Sequence, residues 1–140
     1  MPNPDDNEYI YLSLLHLGAV GWTKAFKRLI CALQYVTSHD TESAPIKHLY
    51  TELASAQNCT YSVIERSLRY VIGQIWEASG SECSKLLFHS SERLRRPSVS
   101  EFLLLYSVAF KSGTIQAWVD SKENEEPTRQ MNIHEILKLL

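Results

Sequence analysis

Between positions 60 and 76 six apolar side chains recur at Ile64, Leu68, Val71, Ile72, Ile75 and Trp76. That spacing of three and four matches the 3.6-residue turn of an α-helix and gathers all six on one face. The same period governs the rest of the chain, and no segment alternates convincingly at period two. An all-α fold follows. A first helix is expected over 9–17, with Ile10, Leu14 and Leu17 on one side and Gly18 as its stop. A second spans about 23–36, its stripe formed by Phe26, Leu29, Ile30, Leu33 and Val36. After the polar loop 37–43, Pro45 sits where a first-turn proline belongs and opens a third helix through Ile46, Leu49, Tyr50 and Leu53. The break at 57–60 precedes the long fourth helix, which Gly80 should end; a short fifth covers about 82–88. The sixth begins at Ser98, which with Glu101 has the spacing of a capping box, and continues through Phe102, Leu105, Val108 and Ala109.

The domain boundary falls late. Residues 1–119 read as one helical domain, with Ile115, Trp118 and Val119 packing back on it. Residues 120–131, charged and containing Pro127, read as a linker. Residues 132–140 place Ile133, Ile136, Leu137 and Leu140 on one stripe, a short amphipathic C-terminal helix that must dock to be stable.

Composition narrows the class. With 44% hydrophobic and 21% charged residues, a packed core is expected rather than disorder. No apolar run approaches the ~20 residues of a membrane span, and the acidic start MPNPDDNEY lacks the features of a signal peptide. A cytoplasmic protein with no membrane partner is expected. Cys31, Cys59 and Cys83 form no CxxC pair and no zinc-type cluster with histidine, so reduced thiols are expected, with no metal and no cofactor. No nucleophilic triad or glycine-rich phosphate loop is present, so no catalytic residue is expected and the chain does not read as an enzyme. Net charge is -2, but the stretch from Lys24 to Arg96 holds ten basic against seven acidic side chains. A mildly basic middle with acidic ends permits DNA binding of modest non-specific affinity.

The stretch 50–76 carries a sharper signal. A helix-turn-helix needs a small residue where its helices cross, which Ala54 supplies. Its turn needs a residue tolerant of positive φ, and Asn58 is the best non-glycine choice. Cys59 can point inward, Ile64 anchors the second helix, and Ser67 and Leu68 fill the small and apolar slots; only Gln57 is unexpectedly polar. This register leaves Thr60, Tyr61, Ser62, Glu65, Arg66 and Arg69 facing outward on the N-terminal half of the second helix, the part that enters a major groove in such motifs. Arg66 has the fork geometry for guanine O6 and N7, and Glu65 could accept from a cytosine amino group. Thr60 and Ser62 could cap the helix or touch phosphate. Read blandly, Glu65 and Arg69 form only a solvated (i, i+4) pair.

The run Ile64-Glu65-Arg66-Ser67-Leu68-Arg69-Tyr70-Val71-Ile72…Trp76 resembles the V-E-R-A-I-R-H-A-I…W signature of the C-terminal effector domain of the sporulation initiation response regulator of endospore-forming bacteria. The similarity extends in order over about 12–111. Leu17-Gly18 with Lys24, Phe26, Leu29 and Ala32-Leu33 resembles that family's I-G…K-G-Y-x-Y-L…A-I opening; Leu49-Tyr50 and Ala54 resemble L-Y-P-x-I-A; Arg96-Pro97…Ser100-Glu101-Phe102 resembles K-P-T-N-S-E-F. The resemblance implies a six-helix domain that binds a short, TGTCGAA-like DNA box, often as tandem head-to-tail copies. It makes Glu65, Arg66 and Arg69 recognition-helix contacts and Ser62 a polar contact at the helix start. Tyr70 takes the place of the family's histidine, Arg96 that of the lysine before proline, Val63 that of a basic residue and Ala25 that of a glycine. With about ten residues before the first helix, neither the family's phospho-receiver domain nor control by aspartyl phosphorylation is expected.

The expected activity is therefore sequence-specific transcriptional regulation from the nucleoid, with a recognition helix at about 60–76. The expected DNA-facing residues are Thr60, Ser62, Glu65, Arg66, Arg69, Tyr70 and Arg96, and the expected partner is double-stranded DNA. The alternative is an interaction module that keeps the fold with weak or no DNA binding, its 132–140 helix forming a homodimer or engaging a partner. Arg93, Arg95 and Arg96 are either a phosphate clamp or a solvated loop. Lys24, Lys27 and Arg28 read mainly as a solubilising face, His48 and Glu52 as surface residues, and Trp22, Trp76 and Trp118 as core.

Overall fold

The computed structural model describes residues 4–38, 46–90 and 95–125, which form six α-helices. These are α1 (Pro4–His16), α2 (Lys24–Ser38), α3 (Ile46–Ala56), α4 (Tyr61–Phe88), α5 (Val99–Lys111) and α6 (Thr114–Glu125). No strand occurs among the described residues. The most extensive contact is α2 on α4, with α5 closing over both; α3 lies along the first half of α4, and α6 lies on α1 and α5. The stripes anticipated for α1, α2 and α4 are inside, but the one expected as Phe102, Leu105, Val108 and Ala109 is not. Leu105 is half-buried and Val108 is 65% exposed, because α5 turns its Tyr106–Ser107 face inward, where Ser107 bonds the Val36 carbonyl. Phe26, Leu29 and Leu33 of α2, Ile64, Leu68, Val71 and Ile75 of α4, and Phe102, Leu103 and Tyr106 of α5 have essentially no accessible surface. At ~1.5–3 kcal/mol for each large side chain removed from water, this shared layer is the main source of stability.

Buried hydroxyls pair across the core. Ser13 Oγ and Tyr106 OH are 2.6 Å apart, and Ser107 Oγ donates to the carbonyl of Val36 at 2.9 Å. Burial pushes the Tyr106 phenol far above its ordinary pKa and keeps it neutral. The capping box at the start of α5 is complete, with Glu101 N–H donating to Ser98 Oγ at 3.1 Å and Ser98 N–H to Glu101 Oε1 at 3.0 Å.

Three departures from the sequence reading concern ends and kinks. The first helix starts at Pro4 rather than Tyr9. The expected fourth and fifth helices are one bent element, α4, whose kink lies at Ser79 (φ -151°, ψ 41°) rather than at Gly80. Ser79 Oγ donates to the carbonyl of Leu17 at 2.6 Å and to that of Ile75 at 3.1 Å, so the bend satisfies the end of α1. The element expected as the sixth helix is consequently α5.

The third departure is larger. Residues 120–125, expected at the start of the linker, continue α6. Their charges find partners on α1 and α4. Tyr9 OH donates to Asp120 Oδ1 at 2.9 Å, His16 Nε2 meets Glu123 Oε2, and Glu82 takes Lys122 Nζ at 2.6 Å and Trp118 Nε1 at 3.3 Å. The lysine's hydrogen bond holds the Glu82 carboxyl below its ordinary pKa despite partial burial. Of the tryptophans expected inside, Trp76 is buried and Trp118 packs against the core, but Trp22 is 80% exposed. It sits in the short α1–α2 connection, where no element among the described residues covers it. Pro45, Arg93 and the 132–140 segment lie outside the described residues.

Gly18 fixes how α1 meets α4. It ends the α1 turn with φ +101°, with Ala19 N–H donating to the Leu14 carbonyl and Gly18 N–H to the Leu15 carbonyl, both at 3.0 Å. A Cβ there would lie 2.4 Å from Ala78 Cβ. Gly18→Ala combines a disfavoured φ with this clash, so equilibrium urea unfolding should show a loss of at least ~1–2 kcal/mol.

Candidate nucleic-acid interface

The α3–α4 junction is built by its turn. Asn58 has φ +52°, the left-handed conformation anticipated for it. Its N–H donates to the Ser55 carbonyl at 3.3 Å, and Cys59 N–H donates to the Ala54 carbonyl at 3.0 Å, which together close α3 in a Schellman motif. Thr60 then caps α4, its side chain accepting from Val63 N–H at 3.2 Å. Cys59 is half-buried against the core, Ile64 and Leu68 are fully buried and Ser67 is nearly so. On the first turn of α4, Tyr61 packs its ring on Tyr50 of α3, centroids 4.6 Å apart. Burial, with Glu65 and Tyr61 close by, pushes the Tyr50 phenol up to about 12, so it stays neutral and acts as a packing surface.

Every described residue singled out for DNA contact lies at the surface. Thr60, Ser62, Arg66, Arg69, Tyr70 and Arg96 are exposed, and Glu65 is partly so. Glu65 Oε2 and Arg69 Nη2 form the (i, i+4) ion pair at 3.2 Å, while Arg66 has no ion-pair or hydrogen-bond partner among the described residues. An exposed pair of this kind is worth under ~1 kcal/mol and can re-form with an outside partner at little cost. Thr60 is thus committed to capping, and Ser62 stands free for outside contact on the same turn.

A groove of about 800 Å³ runs along α4, lined by Arg66, Arg69, Tyr70, Gln74, Glu77 and Arg96, with Gly73 at its floor. Arg96 reaches it from the segment before α5, donating from Nη2 to the Arg69 carbonyl. Gly73 is what admits it. A Cβ at that position would come within 3.0 Å of both Arg96 terminal nitrogens. Arg95 points elsewhere, toward Glu101 at 3.5 Å. Three guanidinium groups from two elements therefore share one open face, and a strip of phosphates or base edges is the chemistry they suit.

One expectation about charge is overturned. Arg28 is half-buried rather than part of a solubilising face. Its Nε donates to Gln57 Oε1 and its Nη1 to Ser67 Oγ, both at 3.0 Å. Gln57, the polar residue at an expected apolar slot, was the visible trace of this contact. His48 and Glu52 are exposed as anticipated. Among the described residues no group of His, Cys, Asp or Glu could hold a metal ion, and no helix is long and apolar enough to cross a membrane.

A helix pair joined by a left-handed turn, with the second helix presenting exposed basic side chains from its first turns, defines a helix-turn-helix domain. Residues 10–109 match the family model described as the sporulation initiation factor Spo0A C terminal, and the chain belongs to this family of helical DNA-binding effector domains. Comparison with curated proteins and with solved structures gives no match.

The turn makes a direct test. Asn58→Ala should cost ~1–2 kcal/mol in urea unfolding because a Cβ-bearing residue lacking the Asn side chain disfavours this φ, whereas Asn58→Gly should be near neutral.

Proposed function

We propose that the protein is a sequence-specific transcriptional regulator that reads DNA with the N-terminal half of α4. The observation that carries this reading is Arg66, exposed on the second turn of the recognition helix with no described partner and flanked by the Glu65–Arg69 pair. A free guanidinium at that place has the geometry for a bidentate contact to guanine, and a neighbouring carboxylate favours a cytosine amino group. Arg69 would release Glu65 on binding and turn to a phosphate or a second base. Ser62 and the amide end of α4 suit phosphate on one side of the groove, and Arg96 with Tyr70 suits the backbone on the other. Only a few cations take part, so affinity should rest on base contacts more than on bulk charge, in keeping with a net charge of -2.

Fluorescence anisotropy with a duplex carrying a TGTCGAA-like box should show binding that weakens with salt. Arg66→Ala should cost ~1–3 kcal/mol and relax preference at one base pair, while Arg96→Ala should weaken all duplexes alike and lower the salt slope by about one. Equal binding by wild type and Arg66→Ala would overturn the assignment.

A further inference from the structure

The regulator reading needs α4 held at a defined tilt, and one side chain outside the helix-turn-helix touches both of its halves. Arg28, half-buried on α2, spans Gln57 at the end of α3 and Ser67 in the second turn of α4. The partners lie 29 and 39 residues away in sequence. No carboxylate pairs with Arg28 among the described residues, so both of its described contacts serve the motif. We infer that Arg28 is a positioning residue for DNA recognition: it sets the aim of the recognition helix through Gln57 and Ser67 without touching a base.

The physical case rests on direction. The layer that joins α2 to α4 is otherwise mainly apolar, with Phe26, Leu29 and Leu33 of α2 fully buried, and such contacts tolerate small slides and rotations. Hydrogen bonds from a planar guanidinium do not, because they weaken outside a narrow range of distance and angle. Ser67 is the lever's pivot. Tyr61 lies six residues before it, about 9 Å along the helix axis at 1.5 Å per residue, so a 10° tilt about Ser67 moves the first turn of α4 by about 1.5 Å. A bidentate contact to a base edge does not survive that displacement. Ser67 is itself small and nearly buried, so it brings its hydroxyl to Arg28 while letting the helices approach closely.

The inference rests on the regulator reading, and its test separates the two. Anisotropy titrations on the full chain would use a labelled duplex with the TGTCGAA-like box and a scrambled duplex of equal length, over a range of salt and well below the melting temperature of each variant by circular dichroism. The variants are Arg28→Met and the double Gln57→Ala/Ser67→Ala, which removes Arg28's partners and leaves its charge. The double variant should lose roughly tenfold in preference for the box over the scrambled duplex while keeping the wild-type salt slope. Arg28→Met should show the same loss of preference. If the double variant keeps the wild-type preference, the positioning role is wrong. If Arg28→Met weakens both duplexes equally and lowers the salt slope by about one, Arg28 is a phosphate contact and the positioning role is again wrong. If wild type shows no preference for the box, the regulator reading itself fails and takes this inference with it. Should Arg28→Met not fold, the double variant decides alone.

Discussion

The rest of the structure depends on the layer where α2 lies on α4. Phe26, Leu29, Ile30 and Leu33 from one helix and Leu68, Val71, Ile72 and Ile75 from the other exclude water over the middle of the molecule, and α5 seals the layer with Phe102, Leu103 and Tyr106. Because α4 supplies both this core and the surface carrying Arg66 and Arg69, the recognition helix is a core helix with one exposed face. The buried face gives it rigidity, and the exposed face is free to vary in chemistry. That division explains how a chain of net charge -2 can present three arginines on one groove: that side of α4 lies outside the core, and Gly73 there leaves room for Arg96.

Polar contacts then do what apolar burial cannot. The Schellman closure at Asn58 and the Thr60 cap fix where α3 stops and α4 starts. Ser79 bends α4 so that its second half can reach the end of α1, and the polar links from α6 to Tyr9, His16 and Glu82 fasten α6 beside that bend. Arg28 joins α2 to both arms of the helix-turn-helix. Each of these sets an angle or an end point, whereas the apolar layer sets only that the helices meet.

Much of this was legible from residues alone because it is local. The Asn58 turn, the Ser98–Glu101 box and the apolar stripes depend on neighbours within one or two helical turns, and the match to the sporulation effector family over 10–109 agrees with the similarity read from the motifs. The outward set around Arg66 followed from the same register. Trp22 shows the limit: its hydrophobicity argued for burial, but exposure depends on whether another element passes over the α1–α2 connection.

The amino-acid order by itself determined the helices, the left-handed turn and which side chains of α4 face away from the core, since a 3.6-residue period and a positive φ are properties of adjacent residues. Only the tertiary structure decided that Arg28 bonds to both arms of the helix-turn-helix, that Arg96 lies over Gly73, and that residues 120–125 form helix rather than linker. Those outcomes turn on partners tens of residues away, up to 111 for Tyr9 and Asp120, and a charged side chain carries no local mark of whether folding will bring it a partner or leave it to water.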